Sequence, residues 1–212
     1  MRKFEIQKYI LIFIIIFLIL FSFSCKDNKE EIIHHDEYES NIPTEFNGIL
    51  KEKKLYLTSI GQSPDMNNFL VYLDYLKEEY DIEYVDNTEL SARDVEDGSI
   101  VFIFVGCSIK ALQESGTSVE EEKTRAKDFI KKHDDGLITI VSWHIGGNPR
   151  RGATSDIFTD LMLDGSDLFI FVKSGNSDSF LSDTAINKNV PLYEIETSSS
   201  VRTPLFIMLG IN

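Results

Sequence analysis

The fold is decided by the stretch Ile100-Val101-Phe102-Ile103-Phe104-Val105, a continuous apolar run in the middle of the chain. Two similar runs follow it, at residues 137–141 and 168–172. Short apolar runs of this kind are typical of central strands in a parallel sheet that is covered on both faces. These three segments therefore predict the interior of a parallel sheet.

Segments on either side extend the pattern. Residues 55–60 form an apolar strand that ends at Gly61, whereas residues 82–85 and 192–196 alternate polar and apolar side chains, as edge strands do. Between the strands, apolar residues recur at intervals of three and four, which predicts helices. Together they predict an α/β fold: a doubly wound, mostly parallel sheet of about six strands in three layers, Rossmann-like or flavodoxin-like, with a strand order of the 2-1-3-4-5 kind.

The first residues indicate export. The chain starts with basic residues, residues 10–23 are almost wholly apolar, and Cys25 precedes an abruptly polar segment. A positive start, a short apolar core and a small residue before the cut are typical of a secretory signal, and a cysteine at the cut offers a thiol for diacylation. We therefore expect a lipoprotein signal peptide over residues 1–24. Lipid on Cys25 would then hold the protein at the cell membrane or outer membrane, on the extracytoplasmic side.

Two alternatives remain open for this segment. One is an uncleaved anchor, although a transmembrane helix needs about 20 apolar residues and residues 9–24 are fewer. The other is an ordinary cleaved signal, because Ser22 stands where the usual lipobox has Leu. All three interpretations place the rest of the chain outside the cytoplasmic membrane.

The remainder is predicted to consist of a flexible acidic tether over residues 25–53 and a single α/β domain over residues 54–212. The tether is rich in charged residues and has no sustained periodicity. The whole chain carries a net charge of −14, which repels phosphate backbones, so we expect no nucleic-acid partner. With Cys25 used for lipid, Cys107 has no partner for a disulfide.

Familiar cofactor and catalytic fingerprints are missing from the sequence. It contains no G-x-G-x-x-G after a strand, no P-loop and no G-x-S-x-G elbow. His34 and His35 are adjacent and have no further ligands at suitable spacing. We therefore expect neither a nucleotide cofactor nor a metal site.

The loops after the strands are the candidate site, because ligands of open parallel sheets bind beyond the carboxyl ends of the strands. These loops combine glycines, hydroxyls and cations in an otherwise acidic chain, and helix N-termini add unpaired N–H groups. We predict a site for a small anionic solute, with hydrogen bonds from polar side chains, charge neutralisation by cations and close backbone approach at glycines. The candidate ligand-binding residues are Gln62, Ser63, Ser108, His144, Gly146, Gly147, Arg150, Arg151 and Lys173.

Other interpretations of these residues remain open. The cations would be structural if they paired with carboxylates such as Asp156, Asp160 or Asp178. Cys107 and His144 would form a nucleophile pair if they met, or His144 would act alone as a general acid or base. Either case would make the protein an envelope hydrolase or transferase. A third interpretation is a protein-interaction module without a ligand.

Three motifs, in this order, resemble a bacterial family of domains of unknown function found in exported proteins and lipoproteins: Thr58-Ser59-Ile60-Gly61-Gln62-Ser63-Pro64-Asp65, His144-Ile145-Gly146-Gly147 and Arg150-Arg151-Gly152. The resemblance extends from Lys54 to the C-terminus. It implies a secreted α/β domain and brings no established activity. In that family a second glycine often stands at the position of Cys107, which argues against thiol chemistry.

Overall fold

A six-stranded, all-parallel sheet forms the centre of the protein. The structure is a computed structural model and describes residues 38–211. The sheet has the order β2-β1-β3-β4-β5-β6, and every neighbouring pair is parallel. The strands are β1 (Leu55–Ile60), β2 (Tyr84–Asp86), β3 (Ile100–Val105), β4 (Thr139–His144), β5 (Leu168–Val172) and β6 (Leu192–Ile195).

Helices cover both faces of this sheet. Their bounds are α1 (Asp65–Tyr80), α2 (Ile109–Ser115), α3 (Val119–Asp134), α4 (Ala153–Leu163), α5 (Phe180–Asn187) and α6 (Arg202–Met208). On one face, α1 and α6 pack with Trp143 and Ile145 in one core. On the other face, α3, α4 and α5 pack in a second core. The predicted doubly wound α/β fold with three layers is confirmed.

The two faces follow from the alternation of side chains along the strands. The central strands β3 and β5 are buried at every position, so consecutive residues enter opposite cores. In β3, for example, Phe102 and Phe104 belong to the core under α1, whereas Val101 and Ile103 belong to the core under α3. The continuous apolar run at residues 100–105 is thus the sequence of a strand that is covered by helices on both faces of the sheet.

The segment before β1 differs from the prediction. Residues 25–53 were expected to be a flexible tether, but from Tyr38 onward the chain packs on the domain. Ser40 forms a parallel bridge with Leu192, and Phe46 and Ile49 are buried in the core under α1. The predicted domain start at residue 54 is therefore too late within the described chain, because a few spaced apolar residues suffice to attach an otherwise polar segment.

The described part of the chain contains no helix that is long and apolar enough to cross a membrane. The signal peptide, Cys25 and the first part of the predicted tether lie outside the described residues.

Candidate functional site

The candidate site lies where the strand order reverses. The strands β1 and β3 are neighbours in the sheet. The loop after β1 leads to α1 on one face, whereas the loop after β3 leads towards α2 and α3 on the other face, so the two loops diverge. Two backbone hydrogen bonds join these loops: the Gly106 N–H donates to the Ile60 carbonyl at 3.2 Å, and the Ser108 N–H donates to the Gly61 carbonyl at 3.0 Å. The loops are so close that a Cβ on Gly61 would overlap the Gly106 carbonyl.

Asp65, the first residue of α1, is the most unusual group at this edge. Its side chain is only 1% exposed, and neither carboxylate oxygen has a hydrogen-bond partner among the described residues. Burial raises the pKa of this carboxyl, while Arg150 and the nearby backbone N–H groups of Gly146 and Ile145 oppose the rise. A buried acceptor without a partner is expensive, so Asp65 is a group that needs a donor.

Arg150 is the nearest cation to Asp65. Its Nε lies 3.7 Å from the Asp65 Oδ1, beyond ordinary hydrogen-bond distance. The Arg150 side chain is 43% exposed. Gly146 lies against both: a Cβ there would overlap the Arg150 side chain and stand 2.7 Å from each Asp65 oxygen. The predicted close backbone approach at Gly146 is thus an approach to these two side chains.

Two polar residues precede Asp65 in the same loop. Gln62 has a positive φ of 57°, is 8% exposed and carries a buried Nε2 without a partner in the described structure. Ser63 is 3% exposed, and its Oγ accepts from the Asp65 N–H at 3.4 Å. The predicted residues Gln62 and Ser63 therefore lie beside Asp65, which ends the first of the three motifs but was not among the predicted ligand-binding residues.

Arg151 has a different environment from its neighbour. It makes a bidentate ion pair with Asp156, at 2.7 and 3.1 Å, and a second pair with Asp178, at 2.9 and 3.1 Å. It also donates to the Gly175 carbonyl and lies over the Phe180 ring at 4.8 Å. The guanidinium is thus engaged by the protein itself, as the structural interpretation of the cations anticipated.

Two further predicted ligand-binding groups also have protein partners. The Lys173 Nζ lies 3.1 Å from the Glu196 Oε1 in an exposed ion pair. The Ser108 Oγ accepts from the Ala111 N–H at 3.2 Å and caps α2. Of the three predicted cations, Arg150 is therefore the one whose side chain makes no hydrogen bond within residues 38–211.

Gly147 brings together the loops after β4 and β5. It has a positive φ of 63°, and a Cβ there would overlap the Ser174 Oγ. A Cβ on Gly175 would in turn stand 3.3 Å from the Gly147 Cα. The absence of a side chain at Gly147 therefore lets the loop after β4 contact the loop after β5.

His144 ends β4 and is fully buried. Burial, assisted by Arg151, lowers its pKa from 6.5 to about 4, so the ring is neutral at neutral pH. Neither ring nitrogen has a hydrogen-bond partner in the described structure, which means that Cys107 and His144 form no hydrogen-bonded pair. Burial also raises the pKa of the Cys107 thiol, and this disfavours the thiolate that a nucleophile requires.

A buried ion pair supports the loop after β1. Glu122 of α3 is 3% exposed, and it accepts from the Gly61 N–H at 2.7 Å. Arg125 pairs with it at 2.7 Å and also donates to Thr58 at 3.2 Å and to the Leu90 carbonyl at 3.1 Å. Sequence analysis missed this pair, because i,i+3 charges on a helix usually indicate an exposed face.

Within residues 38–211 there is no group of three or more metal-ligating side chains. The arrangement is thus a doubly wound α/β domain whose switch point holds buried polar groups without hydrogen-bond partners among the described residues. The chain belongs to the DUF6305 family, described as a domain of unknown function, which matches residues 52–208. The predicted membership in a bacterial family of unknown function is confirmed.

Two other comparisons add little. No curated protein matches the chain. It is similar to a crystal structure of S. aureus homoserine dehydrogenase at pH 7.0, with 14% identity and a TM-score of 0.29 over 67% of this chain and 32% of that chain. The chain therefore spans about a third of the length of that protein, and a similarity of this size supports no conclusion about function.

Proposed function

We propose that this protein is a membrane-anchored extracytoplasmic lipoprotein whose domain binds a small polar solute at the carboxyl edge of the sheet. The observation that carries the binding proposal is Asp65: a buried carboxylate without a hydrogen-bond partner within residues 38–211, at the point of the fold where α/β domains bind ligands. The neighbouring Gln62 Nε2 is also buried and without a partner in the described structure. Together they offer acceptors and a donor that a solute would satisfy.

The charges at this edge favour a broader ligand class than a simple anion. The predicted anion site relied on three cations, but Arg151 and Lys173 are paired with carboxylates. The remaining cation, Arg150, faces Asp65. An anion at Asp65 would meet a negative charge, so the solute must also supply a hydrogen-bond donor.

Binding is better supported than catalysis. His144, the candidate acid or base, is fully buried and its pKa is lowered to about 4, far from the value near operating pH that general acid–base work needs. The Cys107 thiol has a raised pKa, which argues against the nucleophile.

The N-terminal sequence supports the proposed location. The apolar stretch followed by Cys25 is typical of a lipoprotein signal, and an acidic chain of net charge −14 has no electrostatic attraction to anionic lipid headgroups. Attachment would therefore depend on the lipid, with the domain held outside the cytoplasmic membrane.

A thermal-shift screen tests the binding proposal. The full chain, purified in a nonionic detergent, is heated with single sugars, carboxylates, phosphates, amines and amino acids at millimolar concentration. A ligand at a hundred times its Kd stabilises by about 2.7 kcal/mol, which raises the Tm of a domain of this size by roughly 5 to 10 °C.

Gly146→Ala is the matched variant, because its new Cβ would intrude on Asp65 and Arg150. We expect it to keep a cooperative unfolding transition at a lower Tm, because the buried Asp65 and the Arg150 side chain must both shift, and to abolish the ligand-induced rise. If none of the compounds raises the Tm, or if Gly146→Ala binds as the wild type does, the proposed site is wrong.

A further inference from the structure

We propose that the solute is an α-amino acid, with its ammonium group at Asp65 and its carboxylate at Arg150. This inference rests on the proposed binding function and assigns its ligand class. It follows from the proximity of a buried acceptor, the Asp65 carboxylate, and the guanidinium of Arg150, which makes no side-chain hydrogen bond within residues 38–211. The Arg150 Nε lies 3.7 Å from the Asp65 Oδ1.

The Asp65 carboxylate requires a compact donor. Its side chain is 1% exposed, and both oxygens lack a hydrogen-bond partner among the described residues. An ammonium group supplies three donors and a full charge in a small volume, and a charge-assisted hydrogen bond is about twice as strong as a neutral one. A cationic group at this position would also favour the ionised carboxyl that burial opposes.

Arg150 provides the complementary group. Its guanidinium makes no hydrogen bond within residues 38–211, in contrast with Arg151 next to it, which pairs with two carboxylates. The planar fork of arginine matches a carboxylate in a bidentate manner. With 43% of its side chain exposed, Arg150 can turn outward and admit a ligand, and the long ion pair with Asp65 is the one polar side-chain contact within residues 38–211 that it would lose.

The short distance between the two groups selects the arrangement of charges in the ligand. Asp65 and Arg150 are neighbours, so even with the Arg150 side chain turned outward they suit a ligand whose ammonium and carboxylate stand on one carbon, as in an α-amino acid, better than one with these groups at the two ends of a peptide. A simple anion would leave Asp65 without a donor. A simple amine would leave Arg150 without a carboxylate. Gln62, whose Nε2 has no hydrogen-bond partner in the part of the chain that the structure describes, is a further donor in the loop that carries Asp65.

Calorimetric titration of the full chain in nonionic detergent tests the ligand class. Each of the common L-amino acids is titrated separately. The best one is then compared with two analogues: the α-hydroxy acid, which lacks the ammonium, and the amino-acid amide, which lacks the carboxylate. We expect each analogue to bind roughly tenfold to a hundredfold more weakly, as the loss of a hydrogen bond to a charged group implies.

Two variants assign the charges. Asp65→Asn should lose affinity for the amino acid and its amide and should fold at least as well as the wild type, since it removes a buried charge. Arg150→Gln should weaken binding of the amino acid but leave binding of the amide nearly unchanged. Arg93→Gln is the control, because this exposed arginine lies in a surface depression with Leu137, away from the site.

The outcomes separate the inference from the proposed function. If a sugar or a dicarboxylate binds and no amino acid does, the ligand class is wrong and the binding site remains. If the amide binds as tightly as the amino acid, or if Asp65→Asn and Arg150→Gln bind as the wild type does, the assignment of charges is overturned. If nothing binds, both proposals fail.

Discussion

Arg150 and Arg151 are adjacent in sequence, but the structure predicts opposite consequences for their replacement by Gln. Arg151 is 9% exposed at its side chain and pairs with Asp156 and Asp178. Arg150 is 43% exposed, and its one ion pair within residues 38–211 is the long one with Asp65. Arg151→Gln should therefore destabilise the unliganded protein strongly, whereas Arg150→Gln should affect ligand binding and leave stability almost unchanged.

The expected magnitude follows from the contacts of Arg151. Its bidentate pair with Asp156 is partly buried and contributes about 1 to 2 kcal/mol. The pair with Asp178, a side chain that is 60% exposed, is screened by solvent and contributes at most about 1 kcal/mol. Loss of the donor to the Gly175 carbonyl adds about 1 kcal/mol. The sum is about 3 kcal/mol, or roughly 6 to 12 °C in Tm for a domain of this size.

Thermal and urea unfolding of both variants, followed by circular dichroism at neutral pH, measures the difference. For Arg150→Gln we expect a change within about 0.5 kcal/mol, as for other exposed substitutions. The double variant Arg151→Gln/Asp156→Asn should be less destabilised than the sum of its single variants, because the two residues share one interaction. Equal losses of stability in Arg150→Gln and Arg151→Gln would refute the reasoning, and so would a stable Arg151→Gln.

Three further predictions concern other parts of the chain. Because burial lowers the pKa of His144 from 6.5 to about 4, the unfolded chain binds a proton that the folded chain does not as the pH falls from 7 to 5. Stability should then decrease by about 2 kcal/mol, and urea unfolding of His144→Phe should lack this part of the pH dependence; identical profiles would contradict it. Gly61→Ala combines a positive φ with an overlap on the Gly106 carbonyl and should cost about 3 kcal/mol or more. The control Gly98→Ala has a similar φ but no atom within 4 Å of its Cβ, and equal Tm losses in the two variants would show that the overlap is relieved. Cys25→Ser, outside the described residues, should release the protein from membranes or leave an unprocessed precursor, and a wild type that incorporates no labelled fatty acid would end the lipoprotein hypothesis.

The fold was predictable because the central strands can be recognised from their own sequences, as continuous apolar runs. Residues 100–105 are buried at every position, and a strand covered on both faces has no polar side to interrupt its apolar run. The attachment of residues 38–53 was not predictable in the same way. Phe46 and Ile49 are buried, but isolated apolar residues in a charged segment have no periodicity, and only the shape of the core decides whether they are buried.

The position of the loops at the strand ends was predictable, but the partners of their side chains were not. Strand ends place the loops after β1, β3, β4 and β5 at one edge, as the sequence indicated. Which cations are available there depends on partners that are distant in sequence. Asp178 comes from the loop before α5 to pair with Arg151, and no spacing rule connects the two. An acidic residue at a helix start is common, because it stabilises the helix dipole, and Asp65 differs from the usual case only in being buried without a hydrogen-bond partner in the described part of the chain.

The contrast between the two arginines arises from the backbone of one short loop. A 3₁₀-helix over Asn148–Arg150 ends at Arg151, which adopts an extended conformation. Arg150 reaches Asp65 at the start of α1, while Arg151 reaches Asp156 of α4, and these two helices pack on opposite faces of the sheet. Through the ion pair of Arg151 with Asp156, the loop after β4 is therefore attached to α4 on one face of the sheet. Arg150, on the face covered by α1, remains free to move. If the edge binds a solute, this division lets the binding group move while the ion pairs that stabilise the domain stay in place.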